Sequence, residues 1–371
     1  MNPAFLESVL ARHWYRRYRL TPLSVLAFAA SIVFRVAVWI RRCLYRAGLL
    51  MSVRLRVPVI VVGNLTVGGT GKTPLVISLF EQLARAGRHP GIISRGHGGS
   101  AVLPRQVLPN DDPALAGDEP VLLALRCAGP VWVCRDRAQA GLGLLAAHPE
   151  VDLLICDDGL QHYRLARDLE IAVIDHRGFG NGLMLPAGPL REPADRPVDA
   201  FVFNCEPAGR PVDAFVINCE PAGRPVDAFV INGEPAGAPI GLAAGPMKRF
   251  AMNVEAAGFY FVHDPVRQIA TAELVARRLH ALAGIGDPRR FFATLGRLGL
   301  SPQCHAFPDH HRFAESELQF ADCDLVLMTE KDAVKCNRFG RRDLVALRVD
   351  AKPDPALVEF ILNRIRGLPP A

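Results

Sequence analysis

The sequence predicts an α/β fold: a buried parallel sheet carrying the chemistry, a second, smaller α/β unit after it, and an apolar helix before it. The first observation behind this is residues 57–63, V-P-V-I-V-V-G. This continuous apolar run, rich in β-branched residues, suits a strand covered on both faces. The second is a glycine-rich turn directly after that run, which opens into a helical pattern. The third is the alternation of short apolar runs at 90–94, 131–134, 151–157 and 169–175 with helical stretches between most of them, as strand-crossover-strand units require.

The turn reads N-L-T-V-G-G-T-G-K-T-P over residues 64–74. Its glycines let the backbone curl so that successive N–H groups point inward, forming a cradle for phosphate. Lys72 supplies a point charge for the β- and γ-phosphates, and the Thr73 hydroxyl can ligate Mg²⁺. Thr66, Val67, Gly68, Gly69, Thr70, Gly71, Lys72 and Thr73 are therefore the candidate nucleotide-binding residues. Thr66 stands where the common pattern G-x-x-x-x-G-K-[ST] has glycine, so a strict pattern would pass over the site. Pro74 fits the first helical turn. Leu75, Leu79, Leu83 and Ala86 make an apolar stripe, and Gly87 is placed to end the helix. The whole is a P-loop NTPase-like arrangement for a nucleoside triphosphate.

At 371 residues the chain exceeds the size of one core, so more than one domain is expected. The formal net charge is +6, with basic residues gathered near the N-terminus. That points to an anionic surface there rather than to nucleic acid along the molecule. Nine cysteines without a C-x-x-C pair read as thiols of a reducing compartment, several of them buried in apolar runs, as at Cys134 and Cys156.

Residues 22–40 are apolar and flanked by arginines on both sides. Arg41-Arg42-Cys43 offers no signal cleavage site. Length permits a membrane span, but Arg35 opposes one. Arg35, Arg42 and Arg46 fall at i, i+7 and i+11, on one helical face. A helix lying in the headgroup plane is expected, with cations reaching lipid phosphates; an amphipathic helix packed on the protein's own core would show a similar pattern.

Residues 94–99, S-R-G-H-G-G, come after a strand end, where open α/β sheets place ligand groups. Arg95 is a candidate anion contact there. Residues 100–116 read as loop. G-D-E-P at 117–120 puts Asp118 near a helix start, where N-capping and base catalysis are both open to it. The run V-D-L-L-I-C-D-D-G-L-Q-H, residues 151–162, ends a strand in Asp157 and Asp158, a carboxylate pair suited to Mg²⁺ beside Thr73. Gln161 and His162 come next at the same strand end. The long Gly/Pro-rich loop 177–193 carries Arg191, a candidate phosphoryl or substrate contact.

Residues 196–209, R-P-V-D-A-F-V-F-N-C-E-P-A-G, recur nearly unchanged at 210–223 and 224–237. One copy is expected to be a sheet strand and the others a looped-out or edge extension. Beyond 239, residues 267–282 read as helical, then come a helix to 298, Asp309, His310 and His311 in a loop, and a strand from 324 running into a charged turn at T-E-K-D. That order does not match the N-K-x-D guanine reader, which favours ATP. The expected organisation is a membrane-associated helical segment (1–50), a P-loop domain containing the repeat (51–240) and a smaller α/β domain (241–371).

Taken in order, G-N-L-T-V-G-G-T-G-K-T-P, S-R-G-H-G-G, G-D-E-P, D-D-G-L-Q-H, L-P-A-G-P-L-R-E-P, A-G-I-G-D-P, F-P-D-H-H and T-E-K-D-A-V-K resemble the bacterial tetraacyldisaccharide 4'-kinase family, the lipid A 4'-kinases. Thr66 is what that family shows; the triplicated segment is a departure from its single copy. The resemblance implies transfer of the ATP γ-phosphoryl to the 4'-hydroxyl of an acylated disaccharide 1-phosphate, a lipid A precursor, giving lipid IVA. It places the reaction on the cytoplasmic face of the inner membrane, with no protein partner expected. It further implies Asp118 as base with His310 as its partner from the smaller domain, closing over the site. Lys72 balances phosphate charge, Asp157 or Asp158 holds Mg²⁺ with Thr73, and Arg95, Gln161, His162 and Arg191 contact phosphate and substrate. A membrane-associated P-loop ATPase that switches partners, releasing phosphate to water, is the rival reading.

Overall fold

The structure is a computed structural model describing residues 14–15, 22–204, 229–231, 234–236 and 248–366. In chain order α1 (Pro22–Arg46), β1 (Val59–Gly63), α2 (Lys72–Arg85) and β2 (Pro90–Ser94) come first. Then come β3 (Arg105–Val107), α3 (Pro113–Ala116), α4 (Asp118–Arg126), β4 (Val131–Val133), α5 (Arg137–Ala147), β5 (Leu153–Asp157), β6 (Leu169–Asp175) and β7 (Ala200–Asn204). β8 (Phe229–Ile231), β9 (Glu234–Ala236), β10 (Lys248–Phe261), β11 (Asp264–Ile269), α6 (Thr271–Val275) and β12 (Leu279–Ala283) continue the chain. It ends with α7 (Pro288–Arg297), β13 (Gln303–Ala306), β14 (Leu325–Thr329), α8 (Glu330–Cys336), β15 (Leu344–Pro353) and α9 (Pro355–Arg366). Two compact units arise: residues 1–72 with 155–253 and 353–371, and residues 73–154 with 254–352.

In the first unit β1, β6, β7 and the start of β10 run parallel, with Ile60 beside Leu169, Ile171 beside Ala200 and Lys248 beside Ala200. Every residue of β1 is buried, as its unbroken V-I-V-V run requires. β7 is the strand of the first repeat copy and lies between β6 and β10. β8 and β9, in the third copy, pair antiparallel; the second copy lies outside the described residues. Helix α1 is long and apolar enough to cross a membrane, and only 11% of its apolar window is buried. Ser31 is on its protein-facing side, its hydroxyl donating to the Met184 carbonyl at 2.8 Å. Val25, Leu26, Phe28, Ile32, Val33, Val36, Trp39 and Ile40 are exposed, an apolar surface much wider than a single stripe.

In the second unit β2 and β4 are parallel, β3 pairs antiparallel with β4, and β13, β12, β14 and β15 form a parallel set. Phe259, Phe291, Leu295, Leu327 and Val345 anchor one side of its core, and Phe313, Leu318 and Met328 the other.

The structure departs from the sequence-based expectation at three places. Residues 267–282 form the end of β11, the short α6 and the buried β12 rather than a helix, because pairing on both sides in the sheet outweighs local propensity. The charged stretch after Thr329 is helix α8, started by the Thr329 hydroxyl accepting from the Asp332 N–H at 3.1 Å. Within 100–116 the chain makes β3 and α3, the latter capped by Asp112.

Candidate active site

The phosphate loop leaves β1 at Gly63 and enters α2 at Lys72. Its first polar residue, Asn64, is fully buried and bonded at both ends of its amide. Its Nδ2 donates to the Gly68 carbonyl at 3.0 Å, and its Oδ1 accepts from Lys72 Nζ at 3.0 Å. Lys72 is thereby drawn back over the loop, its ammonium 3.6 Å from Asp158 Oδ1. Thr73 comes next in the first turn of α2 and is half-buried. The helix thus presents Lys72 and Thr73 at its positive end, where an anion is favoured.

The loop 183–191 is laid against this turn. Thr66 bridges to Leu190, the Val67 N–H donates to the Pro189 carbonyl at 2.9 Å, and the Arg191 N–H donates to the Leu65 carbonyl at 2.7 Å. This docking carries Arg191 to Asp158, whose carboxylate its Nη1 meets at 3.0 Å. Asp158 therefore lies between two cations, in a left-handed conformation (φ 49°) uncommon for a residue with a side chain. Asp157, last residue of β5, is fully buried. Gln161 Nε2 donates to the Asn64 carbonyl at 3.2 Å, and the His162 N–H to the Gly159 carbonyl at 2.9 Å. Among the described residues no group of three or more His, Cys, Asp or Glu is placed to hold a metal. The oxygen donors of Asp157, Asp158 and Thr73 suit a hard cation that keeps waters and phosphate oxygens in its shell.

A second constellation forms in the other unit. Asp118 opens α4 and is 4% exposed, its Oδ1 accepting from the Glu119 N–H at 2.9 Å. Gly117 before it has φ +93°, and a Cβ there would come within 2.6 Å of the His97 carbonyl oxygen, so only glycine lets the 94–99 loop close on this helix start. His310 Nδ1 lies 2.9 Å from Asp118 Oδ2, and Lys331 Nζ lies 3.4 Å from His310 Nε2. These partners assign the neutral tautomer: Nδ1–H donates to the carboxylate, and Nε2 faces the ammonium as acceptor. His310 is itself in the left-handed region (φ 57°), and the His97 ring stands edge-on to it at 5.0 Å.

Lys331, from the first turn of α8, also approaches Glu119 and Asp309 at 3.2 Å each and Asp118 at 3.9 Å. Burial pushes the Asp118 carboxyl up, but the His310 hydrogen bond and the Lys331 charge outweigh it and leave it below the ordinary value. The hydrogen bond to Asp118 raises His310 above its ordinary value against the opposing effects of burial and Lys331. Burial pushes Lys331 down, and the carboxylates of Glu119, Asp118 and Asp309 more than reverse this. His97 is lowered by burial and by His310. An ionised carboxylate hydrogen-bonded to an imidazole is an arrangement able to accept and hold a proton.

The predicted residues thus gather in two groups: Lys72, Asp158, Arg191 and Gln161 around the loop, and Asp118 with His310. Arg95 is exposed just beyond β2. Sequence reasoning passed over Asn64, Arg177, Asn204, Glu119 and Lys331. Asn64 carried a signal as the first polar residue after a buried strand; Lys331 stood inside a quoted motif with no indication of what it would face.

A phosphate cradle between a buried parallel strand and a helix, with a carboxylate pair at the next strand end, defines the P-loop class of α/β nucleotide-binding proteins. The family model described as tetraacyldisaccharide-1-P 4'-kinase matches residues 23–366, and the chain belongs to that family. Tetraacyldisaccharide 4'-kinase of Azoarcus sp. (strain BH72) is 46% identical over 353 residues, 94% of each chain. The enzyme of the same name from Methylobacillus flagellatus is 44% identical over 362 residues, 97% of this chain and 96% of that one. A crystal structure of "apo" form LpxK from Aquifex aeolicus in complex with ATP has a TM-score of 0.71 and 27% identity, covering 92% of this chain and 99% of that chain.

Proposed function

We propose that this chain transfers the γ-phosphoryl group of ATP to the 4'-hydroxyl of a tetraacylated disaccharide 1-phosphate, giving lipid IVA. The observation that carries this reading is the Asp118–His310 pair at 2.9 Å. A protein that only bound nucleotide would need the cradle and not a buried carboxylate–imidazole pair. Asp118 accepts the proton of the attacking sugar hydroxyl, and His310 fixes the carboxylate and shares the incoming charge. Lys72 compensates the charge developing on the transferred group, and residues 66–73 hold the triphosphate. Thr73 and Asp157 or Asp158 would hold Mg²⁺, which would supply charge neutralisation at the phosphates. Arg191, Gln161, His162 and Arg95 contact phosphate and sugar. In such a reaction positioning and charge compensation supply most of the rate.

The acceptor is a lipid, so the enzyme works at a membrane surface. The exposed apolar side chains of α1 and its arginines suit binding at the cytoplasmic face of the inner membrane. The test is incubation of the purified full chain with γ-labelled ATP, Mg²⁺ and the disaccharide 1-phosphate in detergent. Label on the glycolipid at the 4' position is expected. Release of label as free phosphate alone would replace this reading with that of an ATPase.

A further inference from the structure

The back of the phosphate loop is held by side chains that neither the loop pattern nor the reaction calls for. The Gly68 carbonyl accepts from Asn64 Nδ2 at 3.0 Å, the Gly69 carbonyl from Arg177 Nη2 at 2.7 Å, and the Thr70 carbonyl from Asn204 Nδ2 at 3.0 Å. Three consecutive carbonyls are thus each held by a side chain. Because a peptide unit is planar and trans, each C=O points opposite to the N–H of the next residue. Pinning those oxygens turns the N–H groups of Gly69, Thr70 and Gly71 the other way, as an anion-binding nest requires.

The holders are themselves fixed. Arg177 is clamped on the carboxylate of Asp175, which accepts from its Nε at 2.9 Å and from its Nη2 at 2.7 Å and is only 6% exposed. Asn204 is 3% exposed. Asp175 and Asn204 are register partners at the ends of the parallel strands β6 and β7. Asn204, and Arg177 through Asp175, are therefore placed from one rung of the sheet, which sets their spacing before any ligand binds. The Arg177 guanidinium also lies against the loop, its Nη1 only 3.3 Å from where a Cβ on Gly68 would sit, and Asn204 Nδ2 occupies the corresponding space beside Gly71.

We propose that Arg177 and Asn204 are positioning residues for the nucleotide, holding the loop in its phosphate-accepting shape from behind. This rests on the triphosphate reading of the loop, and it gives the first repeat copy a function through its last strand residue. Since Gly-rich backbone is otherwise free to sample many conformations, release of a holder lets the N–H groups turn away, and binding is reduced by the fraction of loops in the competent shape.

The experiment uses the full chain in detergent micelles, with Arg177→Met, Arg177→Lys and Asn204→Ala compared with the wild type. Mg-ATP affinity is measured by calorimetry, the two KM values by label transfer, and amide exchange at residues 68–71 without nucleotide. Arg177→Met is expected to weaken Mg-ATP binding about tenfold, as for loss of a charge-assisted hydrogen bond. Asn204→Ala should weaken it about threefold to tenfold. Both should speed loop amide exchange and leave the glycolipid KM unchanged, with Arg177→Lys recovering part of the affinity. Should Arg177→Met not fold, Asp175→Asn loosens the same side chain and is expected to weaken Mg-ATP binding about threefold. Folded variants with wild-type affinity and wild-type exchange overturn the clamp alone. A wild type that binds no Mg-ATP overturns the clamp together with the nucleotide reading beneath it.

Discussion

Lys331 offers a quantitative test of the second constellation. Its ammonium lies 3.4 Å from His310 Nε2 and 3.9 Å from Asp118. Replacing it by methionine keeps the length of the side chain and removes the charge. A cation opposes proton uptake by its neighbours, so without it both Asp118 and His310 hold their protons to higher pH. At 3.4 Å Coulomb's law gives roughly 1 kcal/mol in bulk water and roughly 5 kcal/mol at an effective permittivity of 20. The side chain of Lys331 is 16% exposed and shares its charge among Glu119, Asp309 and Asp118. Screening keeps the effect near the lower figure, so we expect the acid limb of kcat against pH to move up by about one unit. Activity on that limb falls about tenfold, while the plateau at higher pH is largely regained. Label transfer measured across the pH range reads the profile, and the His310 imidazole resonance titrated by NMR reads the same shift without turnover. A profile that superimposes on the wild type, or a loss equal at every pH, would refute the argument that Lys331 sets the protonation of the pair.

Three further outcomes are expected. Lys72→Ala should lower label transfer by about 10³-fold with the fold retained, because Asp158 keeps its pairing with Arg191; wild-type turnover in that variant would contradict the assignment, and a thermal melt checks the fold. Asp118→Asn should reduce kcat by about 10² to 10⁴-fold with Mg-ATP affinity retained in calorimetry, and His310, having lost the carboxylate charge that helps to raise it, should titrate at lower pH; weakened ATP binding would instead make Asp118 structural. Deleting residues 210–237 removes two repeat copies and keeps Asn204, so Mg-ATP affinity should stay within about twofold, since surface insertions are cheap in chain entropy; a larger loss would show that the extra copies contribute to the site.

The unbroken V-I-V-V run announced a strand buried on both faces, and the glycines with Lys72 and Thr73 announced a phosphate cradle at its end, because these depend on neighbours in sequence. So did the apolar character of residues 22–40 and the strand-helix alternation around the loop. Where the reading failed, within 100–116, at residues 267–282 and after Thr329, local propensity was ambiguous and pairing or capping decided the outcome. No local pattern joined Asp118 to His310, 192 residues away, which only the family resemblance implied; that Lys331 faces both was decided by tertiary structure alone. It alone set Arg177 and Asn204 on the back of the loop, through the register of β6 on β7. Phosphate-loop chemistry is written in contiguous residues because one strand, one turn and one helix build it. The protonation of Asp118 and the rigidity of the loop depend on side chains distant in sequence, and distances between those exist only once the sheet is assembled.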